Sequence, residues 1–137
     1  MGKFEIIDHT ADIGIKGWGE NIGSAFVSCA EGLFHLIGDR PDERVVTEVT
    51  KEVASFSWEE LLVEWLNELV YEFDVNHYYL CDFCVDGWQQ FRLSSRSSAV
   101  VIPESYVVRH YIKAVTYYGA FVRKVGSVWV AQVIIDV

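Results

Sequence analysis

The chain has 137 residues, a hydrophobic fraction of 51% and a formal net charge of −9, with a pI near 4.8. Its length suits one domain over residues 1–137, and a chain near this size buries roughly 68–70% of its unfolded surface, enough for a core without disulfides or a structural metal. The charge argues against a nucleic-acid binder, which needs surplus Lys and Arg to displace counterions from phosphates.

The N-terminal residues Met1 to Asp8 hold no apolar run long enough for a signal peptide, and no later stretch approaches about 18 uncharged residues. A soluble, cytoplasmic protein without a membrane partner is expected. Cys29, Cys81 and Cys84 are too few and too scattered for a disulfide framework, which fits a reducing compartment.

In chain order, Phe4–Asp8 and Ile13–Trp18 alternate as strands. Ile22, Ala25, Phe26, Cys29, Ala30, Leu33, Phe34 and Ile37 then recur at helical spacing. Asn21 suits that helix's N-cap, Gly38 the left-handed position at its end, and Pro41 prevents continuation. Val45–Phe56 reads as a strand. A second helix follows, with a capping box from Ser57 and Glu60, a hydrophobic staple from Phe56 and Leu61, and a buried stripe of Leu61, Leu62, Trp65, Leu66, Leu69 and Phe73. Glu60, Glu64, Glu68 and Glu72 mark its outer face. Like charges four apart destabilise a helix by a few tenths of a kcal/mol per pair. From Val53 to Phe91 there is no Lys or Arg. This acidic face either keeps the protein solvated or meets a basic partner.

Further strands are expected at Tyr79–Asp86, Trp88–Leu93, Val107–Tyr117, Ala120–Val125 and Val128–Asp136. Asp86-Gly87 and Gly126-Ser127 serve as hairpin turns, and Leu93 to Ser98 as a mobile loop. The pattern predicts an α+β fold, a largely antiparallel or mixed sheet with two helices packed on one face in two layers.

Cys81-Asp82-Phe83-Cys84 is a C-x-x-C on a strand. Alternation puts Cys81 with Phe83 and Val85 on one face and Cys84 with Asp82 and Asp86 on the other, so the pair reads as structural. The four histidines lack metal spacing. No P-loop or G-x-S-x-G elbow is present. Carboxylates offer more. Asp12 ends a short turn between two strands, and the chain stops at Asp136-Val137. Asp136, the terminal carboxylate of Val137 and Asp12 would together suit a hard cation such as Ca²⁺, with water completing the shell. Asp12 in ordinary turn chemistry is the competing reading.

The segments His9-Thr10-Ala11-Asp12-Ile13-Gly14, Gly32-Leu33-Phe34, Leu61-Leu62 through Trp65-Leu66-Asn67-Glu68-Leu69, Lys113-Ala114-Val115-Thr116-Tyr117 and Asp136-Val137 strongly resemble the archease family, in order and across almost the whole chain. The resemblance implies a non-enzymatic cofactor of a GTP-dependent tRNA-splicing RNA ligase, one that promotes the ligase's guanylylation and multiple turnover in tRNA splicing and RNA repair. It also implies a divalent metal, expected to be Ca²⁺, on Asp12, Asp136 and Val137. His9 and Lys113 lie in matched motifs. Tyr118 stands where the family usually has His, and Tyr cannot act as a base near neutral pH. A metal-dependent phosphoester hydrolase and a general chaperone are the alternatives. On this reading the acidic second helix is a candidate face for a basic ligase surface.

Overall fold

The computed structural model describes residues 3–8 and 12–137. Strands β1 (Lys3–Asp8) and β2 (Ile13–Gly19) lead into helix α1 (Ile22–Ile37), and β3 (Val45–Ala54) precedes helix α2 (Trp58–Asn76). Strands β4 (Tyr78–Gln89), β5 (Arg92–Val101), β6 (Ala114–Val125) and β7 (Val128–Asp136) complete the order. The α+β class is as expected. The strands, however, form two antiparallel sheets and not one, ordered β1-β2-β7-β6 and β3-β5-β4.

The helices bridge these sheets. Helix α1 packs on β1, β2 and β7 of the first and on β4 of the second, while α2 packs on β6 of the first and on β3 and β4 of the second. A helix between two layers needs more than one apolar stripe, and in α1 only His35 is exposed. Close approach is needed on the β2 side. A Cβ on Gly17 would lie 2.9 Å from the Ala25 carbonyl and the Cys29 nitrogen, and one on Gly32 would lie 2.8 Å from Ile15. No helix among the described residues is long and apolar enough to cross a membrane.

Asn21 caps α1 as expected, accepting from the Ser24 nitrogen at 2.8 Å while Ser24 Oγ accepts from the Asn21 nitrogen. At the other end Gly38 is extended, so the expected left-handed end does not form. Glycine is needed there for room, because a Cβ would meet Tyr106 Oη at 2.5 Å. Arg109 closes the helix instead, donating from its backbone nitrogen to the Ile37 carbonyl and from its guanidinium to the His35 carbonyl. For α2, Ser57 accepts from the Glu60 nitrogen at 3.1 Å, which is half of the expected box. The Glu60 carboxylate is turned to Ser55 Oγ. The Phe56–Leu61 staple is absent. Phe56 is 89% exposed, and Trp58 packs on Phe91 nearby with ring centroids 5.3 Å apart.

The segment from Leu93 to Ser98, expected as a mobile loop, is the middle of β5 and the central strand of the second sheet. Its small polar residues alternate correctly: Leu93, Ser95 and Ser97 are buried. The Ser95 hydroxyl accepts from Trp65 Nε1 at 2.8 Å, so its burial leaves no orphaned group. Asp86-Gly87 is not a turn either. β4 runs through it with a register shift between Val85 and Gly87, and the chain reverses at Gln90-Phe91, where Phe91 takes φ 60°. Pairing of β5 with strands on both sides outweighs a local turn preference. Gly126-Ser127 does turn.

A second shift in β4 separates Cys81, opposite Ser98, from Cys84, opposite Arg96, with Asp82 at φ 52°. The bulge absorbs one residue, so the cysteines share a face where simple alternation put them on opposite ones. Both are free thiols, and burial pushes the Cys81 thiol up, which disfavours the thiolate of a redox pair. Residues 102–113, partly expected as strand, carry no regular structure, and the two segments expected at Val107–Tyr117 and Ala120–Val125 are represented by one strand, β6. A register shift between Thr116 and Phe121 interrupts that strand, with Gly119 at φ 70°.

Candidate metal centre

The first sheet brings the start of β2 beside the end of β7. β2 and β7 are antiparallel, with Ile13 opposite Ile135, and β6 joins through Ala114 opposite Asp136. The β2–β7 ladder ends at that pair; Asp12 directly precedes β2, and Asp136 closes β7 with Val137 following. Ile135 is fully buried and Ile13 packs against the core, so alternation along β7 turns Asp136 to the opposite face. The Lys113 nitrogen donates to the Asp136 carbonyl at 2.8 Å, which holds the strand end in place. Asp12 is half-buried, Asp136 exposed, and Val137 42% exposed.

Among the described residues no ion pair reaches Asp12, Asp136 or the terminal carboxylate. A hard cation takes about six to eight oxygens, and the Asp12, Asp136 and terminal carboxylates are oxygen donors. The donor set therefore fits such an ion. Among the described residues no three His, Cys, Asp or Glu side chains are grouped for a metal. His9 lies outside the described residues, and Tyr118 is 79% exposed.

Two side chains on α2 bind the backbone of β6, and the periodicity of the helix gives no sign of it. The Asn67 amide on α2 donates to the Val115 carbonyl at 3.0 Å and accepts from the Val115 nitrogen at 2.9 Å. The Glu59 carboxylate accepts from the Val122 nitrogen. Both satisfy the outer edge of β6, a strand that would otherwise present free backbone groups. Asn67→Ala should lower stability by about 1–3 kcal/mol, since it leaves two part-buried backbone groups unpaired. Amide exchange at Val115 checks this: protection equal to wild type would remove the clamp.

The acidic stripe of α2 is not the solvent face expected of it. Glu72 is 7% exposed and meets Lys51 Nζ at 2.7 Å, Glu68 reaches the same ammonium at 3.3 Å, and Glu64 accepts from Ser55 Oγ at 2.7 Å. These contacts explain how the like charges are tolerated. They also mean that Lys at positions 64 and 68 would disturb packing as well as surface charge.

A model of the archease protein family (MTH1598/TM1083) matches residues 4–137. Protein archease of Methanosarcina mazei is 34% identical, over 98% of this chain and 96% of that one. Protein archease of Pyrococcus furiosus is 31% identical over the full length of both. The solution structure of Methanobacterium thermoautotrophicum protein 1598 superposes with a TM-score of 0.76 at 26% identity, covering 98% of each chain. A Thermotoga maritima crystal structure, described as an archease and possible chaperone, shares the fold with a TM-score of 0.66 at 19% identity, over 97% of this chain and 96% of that one. With sequence relatives and fold agreeing from one end to the other, this chain belongs to the archease family.

Proposed function

We propose that this chain is a non-catalytic protein cofactor of a GTP-dependent tRNA-splicing RNA ligase in the cytoplasm, promoting its guanylylation and multiple turnover. The observation supporting this is membership of the archease family over residues 4–137, with Ile13 paired to Ile135 next to the two aspartates in sequence. Asp12, Asp136 and the Val137 carboxylate would hold a divalent cation, Ca²⁺ by their donor chemistry. When bound, the ion would neutralise three like charges and offer open coordination positions to an anionic group of the partner. Asp136 is positioned by β7 and by the Lys113 backbone, so this end is ordered before the partner arrives. It replaces the α2 stripe as the favoured contact region, because that stripe is already engaged with Lys51 and Ser55.

A ligation time course under limiting ligase tests the reading. Wild type should raise the number of turnovers. Asp12→Ala should bind Ca²⁺ about tenfold or more weakly and activate correspondingly less. A chain extended past Val137 should fail in the same way, because its carboxylate has moved. Full activation by the extended chain would remove Val137 from the site. No activation by wild type, together with general suppression of aggregation of unrelated clients, would favour the chaperone reading instead.

A further inference from the structure

The outer face of the second sheet carries a feature outside the function proposed above. Register sets Glu52 opposite Ser94 and Ser94 opposite Gly87, and in the next row Ala54 opposite Arg92 and Arg92 opposite Gln89. Residues opposite one another across an antiparallel pair share a face, as do alternate residues along a strand. These six therefore form two adjacent rows, and they border a concavity of 390 Å³. That lies within the range of about 300–1,000 Å³ usual for small-ligand sites.

The shape follows from side-chain size. Ser94, Gly87 and Ala54 make a low floor, while Glu52, Arg92 and Gln89 stand as walls. Gly87 is not required for packing, since a Cβ there would have only Ser94 Oγ as a neighbour, at 3.9 Å. A glycine in a strand interior that no contact demands, beside a register shift, is a position where a ligand can approach the backbone closely.

Charge separates this place from its surroundings. One row further along β5, Arg96 is bound to Asp86 at 2.7 and 2.8 Å and lies 3.6 Å from Glu48. Arg92 makes no ion pair among the described residues, and neither does Glu52. An unmatched guanidinium in a chain of net charge −9 is available to an anion. Beside it stand two more donors, the Ser94 hydroxyl and the Gln89 amide. A guanidinium fork with two further donors suits the three oxygens of a phosphate better than the two of a carboxylate. Glu52 faces this group as an acceptor and suits hydroxyls on the same ligand.

We propose that this concavity binds a small phosphate monoester of a polyhydroxy compound, with Arg92, Ser94 and Gln89 on the phosphate and Glu52 on the hydroxyls. The test is titration of the full chain with ribose 5-phosphate, inorganic phosphate and ribose, each up to about 10 mM, followed by calorimetry and by amide shifts. Ribose 5-phosphate should bind wild type and move the Gln89, Arg92 and Ser94 amides, while ribose should not bind. Arg92→Gln should weaken binding about tenfold or more. Gly87→Leu should fill the floor and abolish binding, and unfolding midpoints close to wild type would show that both variants are folded. Absence of binding to wild type, or binding undiminished in both variants, overturns the proposal. Equal binding of inorganic phosphate and ribose 5-phosphate overturns the polyol assignment and the role of Glu52.

Discussion

Replacing Trp65 by Ala should destabilise the protein by about 3–5 kcal/mol, a large part of the roughly 5–15 kcal/mol that holds a domain together. Trp65 is fully buried on α2, where it meets α1 and the second sheet. Its ring stacks on Phe26 of α1 at 6.2 Å, meets Phe83 of β4 edge-on at 6.5 Å, and donates Nε1 to Ser95 of β5. The alanine variant would lose apolar burial and the hydrogen bond and leave a cavity where the layers meet. Urea unfolding should show a lower midpoint with an unchanged slope. Trp65→Phe isolates the polar part. It keeps most of the packing but leaves the Ser95 hydroxyl without its donor, for about 1–2 kcal/mol. In a Ser95→Ala background the same change should cost less than in wild type. An alanine variant within about 1 kcal/mol of wild type would show that Trp65 does not tie the layers together.

The second large effect is expected at Lys51. Its side chain is 14% exposed, lies 2.7 Å from a Glu72 oxygen, and has Tyr71's ring centroid 5.7 Å away. Lys51→Met should cost about 2–3 kcal/mol, because Glu72 is left buried with only the Asn76 amide for support. The cost stays below that of a fully buried pair because Glu68, the other partner, is half exposed to water. Adding Glu72→Leu to Lys51→Met should recover much of the loss, since the stranded charge is then gone.

The pH dependence has a definite sign. Burial opposes the charge on Glu72, but hydrogen bonds from Lys51 and Asn76 outweigh it and hold the carboxyl below its ordinary value of 4.5. Burial likewise opposes the charge on Lys51, and the bonds to Glu72 and Glu68 raise it above its ordinary 10.5. The Glu72 contribution is therefore complete above its unfolded pKa and is lost as pH falls through the lower folded value. The Lys51 contribution is complete below its unfolded pKa and is lost as pH rises through the higher folded value. Between these limits the difference between wild type and Lys51→Met should be flat, and it should shrink in acid. A difference that persists unchanged at about pH 3 would mean that Lys51 acts through its methylenes and not through its charge.

Much of this fold was legible in the residues themselves. Both helices follow from apolar periodicity, and Asn21 and Ser57 start them where a side-chain oxygen can meet the first free backbone nitrogens. The strands at both ends of the chain follow from alternation, while a carboxylate site of Asp12, Asp136 and Val137 was suggested by their oxygen-donor chemistry and by the family resemblance. The ladder sets Ile13 opposite Ile135, the residues next to the two aspartates in sequence.

What the sequence did not determine depended on partners distant along the chain. The serines of β5 look like a loop until Trp65 and two neighbouring strands satisfy them, since no local rule reveals a donor 30 residues away. The glutamates of α2 look like a solvent face until β3 brings Lys51 and Ser55 beneath them. Asp86-Gly87 has the composition of a turn, yet strand pairing carries the chain through it. Local propensities are worth tenths of a kcal/mol to about one, whereas pairing and burial act over whole elements. Where the two disagree, tertiary structure decides.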